Sequence, residues 1–169
     1  MKWNSVRGWR IVLLGLLLAF WSVSSYGQWL GSSPTTSGVM RAMDIPKSDL
    51  LSPEELNRQL QTHSHESPLM LQVGSRMLYD QAHIPGSEYV APTYQTAGLE
   101  MLRNRVDKLP RNRSIVVYCG CCPWDRCPNV GSAWRLLHDM GFTHAKVLYI
   151  VDNFGADWVA KGYRVEKSQ

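Results

Sequence analysis

Apolar residues recur along the chain in two spacings, which predict alternating helices and strands. Helical spacing is found in residues 52–60, 99–109, 130–140 and 157–161, and apolar runs of strand length in 69–73, 114–118 and 145–151. Helices that alternate with buried strands are typical of a parallel sheet. The pattern therefore predicts an α/β fold with a central, mainly parallel sheet and helices on both of its faces.

Local signals place the ends of three of these helices. Ser52 before Pro53, with Glu55 three residues after the serine, predicts a helix that begins at the proline. Pro110 is expected to end the second helix, because proline has no N–H to donate. Gly141 is expected to end the third, because glycine readily adopts the left-handed conformation that terminates helices.

The first 27 residues have the layout of a secretory signal peptide. Lys2, Arg7 and Arg10 precede an apolar run over 11–21, and small residues follow it. The run is shorter than the roughly 20 residues that span a bilayer. We expect export to the periplasm or another extracytoplasmic compartment, where disulfides persist. The alternative is an uncleaved N-terminal anchor, in which case residues 1–27 alone would touch the membrane.

The net charge of the chain resides in this N-terminal segment. The chain has 18 Lys and Arg residues against 14 Asp and Glu, and residues 1–27 contain three of the cations and none of the acids. The remainder is nearly neutral and has no basic stripe, which argues against nucleic-acid binding. Residues 28–49 are predicted to be a linker, and residues 50–166 one domain large enough to bury a core.

All four cysteines of the chain lie in one loop, at positions 119, 121, 122 and 127. The loop joins the predicted strand 114–118 to the helix 130–140, and α/β sheets bind ligands beyond the carboxyl ends of their strands. Backbone amides and the helix N-terminus should lower the pKa of a thiol there and make it reactive. Arg126 is expected to donate charge-assisted hydrogen bonds to an oxyanion. The loop is therefore the candidate chemical site.

Five short motifs occur in order along the chain: LQVGSR at 71–76, HIPGS at 83–87, IVVYC at 115–119, MGF at 140–142, and a tryptophan at 158 followed by KGYRV at 161–165. Their order and spacing resemble a single rhodanese domain over about residues 50–166. The resemblance implies a three-layer α/β sandwich and sulfur transfer without a cofactor or metal. Cys119 matches the family's nucleophile, which takes a sulfane sulfur from a small anion such as thiosulfate. It holds that sulfur as a persulfide and passes it to a thiol acceptor, either a small molecule or a protein.

The cysteine loop is longer than the family's usual loop, and the additional thiols belong to the extra length. We predict that the loop contacts the substrate through Gly120, Cys121, Cys122, Trp124, Arg126 and Cys127. In a sulfurtransferase, one of the additional thiols would resolve the persulfide on Cys119. An enlarged loop also occurs in a phosphatase branch of the same fold, but the extra thiols favour sulfur or redox chemistry.

Two other functions of the loop stay open on the sequence alone. The first is thiol–disulfide exchange, for which Cys122 and Cys127 are far enough apart to form a disulfide, as are Cys119 or Cys121 with Cys127. The second is binding of a soft ion such as Cu(I) or Zn²⁺. The loop lacks the paired Cys-x-x-Cys spacing of structural zinc sites, which makes a metal the weaker alternative.

Overall fold

A computed structural model of the protein describes residues 41–62 and 67–168. The predicted signal peptide over 1–27 lies outside these ranges. Within them, no helix is both long enough and apolar enough to cross a membrane.

The centre of the fold is a five-stranded sheet in which every neighbouring pair is parallel. In chain order the strands are β1 (Leu50–Leu51), β2 (Leu69–Gln72), β3 (Glu88–Tyr89), β4 (Ile115–Tyr118) and β5 (Ala145–Leu148). Their order across the sheet is β1-β5-β4-β2-β3, which puts β4 in the middle. The three predicted strands and the parallel sheet are confirmed. The two edge strands have two residues each, too few for a hydrophobic pattern to reveal them.

Four α-helices connect the strands: α1 (Pro53–Gln61), α2 (Arg76–Gln81), α3 (Thr96–Val106) and α4 (Asn129–Asp139). Within residues 41–62 and 67–168, three 3-10 turns (Ala42–Asp44, Lys47–Asp49, Trp124–Arg126) and one π-helical turn (Gly155–Val159) are also present. The predicted cap is confirmed, since the Ser52 hydroxyl accepts a hydrogen bond from the Glu55 amide at 3.1 Å. Gly141 ends α4 at a φ of +84°.

Two helical predictions differ from the structure in extent. Helix α3 ends at Val106, so it stops before Pro110 rather than at it, and its start is three residues earlier than predicted. The predicted final helix over 157–161 is the π-helical turn at 155–159. Helix α2 was not predicted, because none of its residues is buried and it carries no apolar stripe.

Helices cover both faces of the sheet, as the sequence predicted, and each face has its own core. Along β4, Ile115 and Val117 point to the side of α3 and α4, while Val116 and Tyr118 point to the side of α1 and the π-helical turn. Residues 42–49, part of the predicted linker, pack against the first of these sides, where Ala42 is 1% and Ile45 5% exposed. The packed domain therefore includes them.

Tyr118, the last residue of β4, contacts the turn at 83–87 through its hydroxyl group. Its buried hydroxyl lies 2.7 Å from the Ser87 hydroxyl and accepts a hydrogen bond from the Ile84 amide at 3.2 Å. Burial raises the pKa of Tyr118, so the phenol stays neutral. In the same turn, the His83 Nδ1 atom lies 2.8 Å from the Tyr79 carbonyl oxygen, and its ring stacks on Tyr79. These contacts make the turn a rigid support for the end of β4.

Candidate active site

Cys119 directly follows the central strand, at the carboxyl edge of the sheet. The residue is 3% exposed and borders a cavity of about 400 Å³. Gln72, Gln81, Cys121, Asn153 and Phe154 are among the other residues that line this cavity. Its volume falls in the range of small-molecule sites.

A buried amide, Asn129, holds the Cys119 sulfur from the side of α4. Its Nδ2 atom donates to the Cys119 Sγ atom at 3.4 Å, while its Oδ1 atom accepts from the Tyr94 amide at 3.2 Å. The Thr93 hydroxyl donates to the Asn129 carbonyl oxygen at 2.8 Å. The side-chain amide is thus oriented so that it donates to the sulfur. Asn129 was not among the predicted site residues, because a polar residue at the start of a helix has no distinctive pattern.

The end of β2 approaches Cys119 from the other side through Gln72 and Gly74. The buried Gln72 side chain accepts a hydrogen bond from the Gly74 amide at 3.1 Å and donates to the Cys119 carbonyl oxygen at 3.5 Å. A Cβ atom on Gly74 would lie 2.7 Å from the Cys119 Sγ atom, closer than real Cβ contacts. Glycine is therefore required here by the approach of the thiol. The sequence did contain one signal for this contact, namely a polar residue, Gln72, inside the otherwise apolar run 69–73.

Another part of the cavity wall is the segment 153–155, which is hydrogen-bonded to the cysteine loop. The Phe154 amide donates to the Gly120 carbonyl oxygen at 3.0 Å. The Asp157 carboxylate accepts from the amides of Asp152 at 2.7 Å and Asn153 at 3.2 Å. Gly120 has a φ of +73°, a left-handed conformation that favours glycine. This wall therefore sets the course of the loop immediately after Cys119.

The four thiols lie close together and are all unpaired in the structure. The Sγ atoms of Cys119 and Cys121 are 3.0 Å apart, and those of Cys121 and Cys122 are 3.5 Å apart. Both Cys122 and Cys127 are thiols, so a disulfide between them stays a prediction. Among residues 41–62 and 67–168, no group of three or more histidine, cysteine or acidic side chains is arranged to hold a metal ion.

Hydrogen bonds between the thiols shift their pKa values in opposite directions. Donation from the Cys119 thiol is the largest effect on Cys121, whose pKa falls to about 6. The pKa of Cys119 itself is raised, chiefly by its hydrogen bonds to Cys121 and Cys127 and then by burial. The first ionisation of the cluster therefore has a pKa below the usual thiol value. A second thiol beside that thiolate is harder to ionise, because the two negative charges repel each other. The expectation of a lowered pKa in the loop is met by Cys121, whereas Cys119 shifts the opposite way.

The N-terminus of α4 acts on Cys127 rather than on Cys119. The hydrogen bond from Cys119 is the largest influence on Cys127, and the backbone amides of Val130 and Asn129 add to it, so that its pKa falls to about 7. Burial raises the pKa of Cys122 to about 12. The predicted effect of a helix N-terminus on a thiol is therefore present, but its recipient is the fourth cysteine.

Trp124 and Arg126 differ in how they relate to the thiols. Trp124 packs edge-on against Tyr149 with ring centres 4.8 Å apart, and its amide donates to the Val151 carbonyl oxygen at 2.9 Å. With Cys119, Cys122 and Cys127 it lines a void of about 10 Å³ beneath the loop. Arg126 is exposed, and it is not among the described residues that line the 400 Å³ cavity. Trp124 therefore anchors the loop, while Arg126 lies outside the lining of the cavity.

The lowered pKa of Cys121 predicts an unusual pH dependence of alkylation. Because only the thiolate reacts, the rate of iodoacetamide labelling at Cys121 should rise with pH and reach half its maximum near pH 6. Cys119→Ala removes the main donor and should move this midpoint toward the ordinary value of 9.0. Mass spectrometry of the labelled loop peptide measures both midpoints. A midpoint near 9.0 in the unaltered protein contradicts the prediction.

Comparison with known proteins agrees with this architecture. The sequence model of the rhodanese-like domain matches residues 52–161. The solution structure of a rhodanese-like domain from Anabaena is 24% identical, with a TM-score of 0.52, covering 70% of this chain and 79% of that one. A thiosulfate sulfurtransferase from Pseudomonas aeruginosa is 20% identical, with a TM-score of 0.53, covering 73% of this chain and 20% of that one. No curated protein sequence matches significantly.

A third similar structure has a different description. A Rhodopseudomonas palustris protein of unknown function, described as a possible tyrosine phosphatase, is 17% identical with a TM-score of 0.51, covering 70% of this chain and 84% of that one. At such identities the structures show a shared fold and not a shared reaction. The sequence model, by contrast, spans more than half of the chain and coincides with the parallel sheet and its helices. This chain therefore belongs to the rhodanese-like domain family.

Proposed function

We propose that this protein is a sulfurtransferase that carries a sulfane sulfur as a persulfide on Cys119, from a small anionic donor such as thiosulfate to a thiol acceptor. The observation that carries the proposal is the position of Cys119. It follows the central strand β4, it is one of the residues that line a cavity of about 400 Å³, and Asn129 donates to its sulfur at 3.4 Å. A cavity of this size beside Cys119 can hold a small donor.

The reaction consists of two displacements at sulfur. The Cys119 thiolate attacks the sulfane sulfur of thiosulfate, and the sulfur–sulfur bond of the donor breaks as sulfite leaves with the electron pair. The acceptor thiolate then attacks the outer sulfur of the persulfide, which returns Cys119 to its thiolate. The Cys119 thiol gives its proton to the Cys121 thiolate as it attacks, because Cys121 is the more acidic of the two and their sulfurs are 3.0 Å apart.

Cys119→Ser is the substitution that tests the nucleophile. The reduced protein, freed of reductant under anaerobic conditions, is mixed with thiosulfate, and the sulfite released in a single turnover is measured. We expect one sulfite per chain from the unaltered protein and none above background from Cys119→Ser. Sulfite reports the first displacement whatever happens to the sulfur afterwards.

Cys122→Ser is the matched control, because it removes a thiol of the same loop that does not line the 400 Å³ cavity. It should release sulfite like the unaltered protein. Sulfite release by Cys119→Ser at the unaltered rate would contradict the assignment of the nucleophile. Failure of the unaltered protein to take sulfur from either thiosulfate or an organic persulfide would contradict the proposed function itself.

We also propose that the protein acts after export, on the basis of the charge and hydropathy pattern of residues 1–27. Fractionation of the cells that produce it should place the protein outside the cytoplasm. Determination of the mature N-terminus then distinguishes cleavage near Gly27 from an uncleaved anchor. Recovery of the full-length chain in the cytoplasm would contradict the proposal.

A further inference from the structure

We infer that Cys121 is the thiol that resolves the persulfide on Cys119, so that the sulfane sulfur leaves as hydrosulfide and the loop is left with a Cys119–Cys121 disulfide. This inference rests on the proposed function, since it requires sulfur to reach Cys119 first. It adds a second reaction to the site: reduction of the bound sulfane sulfur by the protein's own thiols.

The loop geometry brings these two sulfurs together. Only Gly120 separates the two cysteines, and its φ of +73° turns the chain so that both side chains reach the same cavity. The two Sγ atoms are 3.0 Å apart, which leaves no room for a molecule between them. A disulfide bond is about 2.05 Å long, so closing it requires a movement of about 1 Å.

The other two cysteines are less well placed for this step. Cys122 lies 3.5 Å from the Cys121 sulfur and directs its own thiol to the Arg126 carbonyl oxygen at 3.7 Å. Cys127 accepts a hydrogen bond from Cys119, as Cys121 does, but it is buried and interacts with the backbone amides at the start of α4. Cys122 and Cys127 line the small void under the loop, Cys121 lines the 400 Å³ cavity, and Cys119 lines both.

Exposure and acidity suit Cys121 to the role of the attacking thiol. Its side chain is exposed while Cys119 is buried, so a reductant can later reach the disulfide from the Cys121 side. In the resting loop its pKa of about 6 makes it a thiolate at neutral pH, and loss of the Cys119 donor on persulfide formation raises that pKa. Hydrogen bonds from the Cys122 thiol and the Cys121 backbone amide also lower this pKa, and both remain after Cys119 has been converted to the persulfide.

The step balances without an external oxidant. The Cys121 thiolate attacks the inner sulfur of the persulfide, the Sγ atom of Cys119, and a bond forms between the two Sγ atoms. The bond from Cys119 to the outer sulfur breaks, and that sulfur leaves as HS⁻ with the electron pair and its own proton. The sulfane sulfur is reduced by two electrons, and the two cysteine sulfurs are oxidised to the disulfide. A dithiol reductant then returns the loop to its starting state.

The test follows sulfide and mass after one equivalent of sulfane sulfur is added anaerobically, as thiosulfate or as an organic persulfide. We expect the unaltered protein to release one hydrosulfide per chain and to lose the mass of two hydrogens. Cys121→Ser should release none and should instead keep one extra sulfur on Cys119. Cys122→Ser is the control: it keeps a hydroxyl donor beside Cys121 and should still release one hydrosulfide per chain.

Peptide mapping identifies the bond. Trypsin cleaves after Arg113 and Arg126, which leaves Cys119, Cys121 and Cys122 on one peptide and Cys127 on the next. In Cys122→Ser, a disulfide within the first peptide joins Cys119 to Cys121. Hydrosulfide release by Cys121→Ser equal to that of the unaltered protein, a stable persulfide in the unaltered protein, or a disulfide linking the two peptides would overturn the inference. The proposed function fails separately, if the unaltered protein releases neither sulfite from thiosulfate nor hydrosulfide from an organic persulfide.

Discussion

Gly120→Ala is expected to lower the free energy of unfolding by about 3 kcal/mol and to slow sulfur release from the donor. A side chain at a φ of +73° is strained by roughly 1–2 kcal/mol. The new Cβ atom would also lie 2.6 Å from the Phe154 Cβ atom and 3.1 Å from its amide nitrogen. Such overpacking costs about 1–3 kcal/mol, because the wall at 153–155 must shift.

The catalytic effect of Gly120→Ala follows from its place between the two reacting cysteines. A displacement of about 1 Å at a reacting group lowers rates by up to roughly a hundredfold. We therefore expect single-turnover sulfite release to slow by about tenfold to a hundredfold, with stability measured in parallel by urea denaturation.

Gly141→Ala is the matched control for the stability change. Gly141 has a similar φ of +84°, but a Cβ atom there meets no atom within 4 Å. Gly141→Ala should lower the free energy of unfolding only by the backbone strain, about 1–2 kcal/mol, and should leave sulfite release unchanged. Equal losses of stability in the two variants would show that the Phe154 contact contributes nothing, contrary to the prediction.

Trp158→Ala should lower the free energy of unfolding by about 3–5 kcal/mol, the largest loss of stability expected for any substitution discussed here. Trp158 is 1% exposed at the centre of the core beneath α1. Its ring stacks with Phe154 at 6.0 Å, meets Tyr163 edge-on at 5.0 Å, and donates to the Arg164 carbonyl oxygen at 2.9 Å. The substitution removes all three contacts and leaves a cavity behind Phe154.

Trp158→Phe separates the aromatic packing from the hydrogen bond. It keeps a ring but leaves the Arg164 carbonyl oxygen without its donor, so we expect a smaller loss of about 1–3 kcal/mol. Chemical denaturation of both variants measures the difference. A loss below about 1 kcal/mol for Trp158→Ala would contradict the assignment of Trp158 to the core.

The strands β2, β4 and β5 and the helices α1, α3 and α4 were predictable, because each has a clear hydrophobic pattern. The family was predictable as well, since its motifs depend on residue types and on order along the chain. The edge strands and helix α2 were not: Leu50–Leu51 and Glu88–Tyr89 are too short to show a period, and α2 buries none of its residues. The segment that contains Ala42 and Ile45 was also mispredicted. Its composition is typical of a linker, yet both of these side chains are buried in the core.

Sequence alone determined that all four cysteines lie in one loop and that Cys119 stands at the end of a central strand. Both conclusions depend on local order, which the printed residues contain directly. Only the tertiary structure decided which groups surround that cysteine: Gln72 at the end of β2 bonds its carbonyl oxygen, while Gly74 after β2 and Asn129 in α4 lie against its sulfur. It also distinguished the thiols from one another, because acidity depends on distance, burial and hydrogen bonding. The left-handed Gly120 places Cys121 beside Cys119, whereas the start of α4 interacts with Cys127.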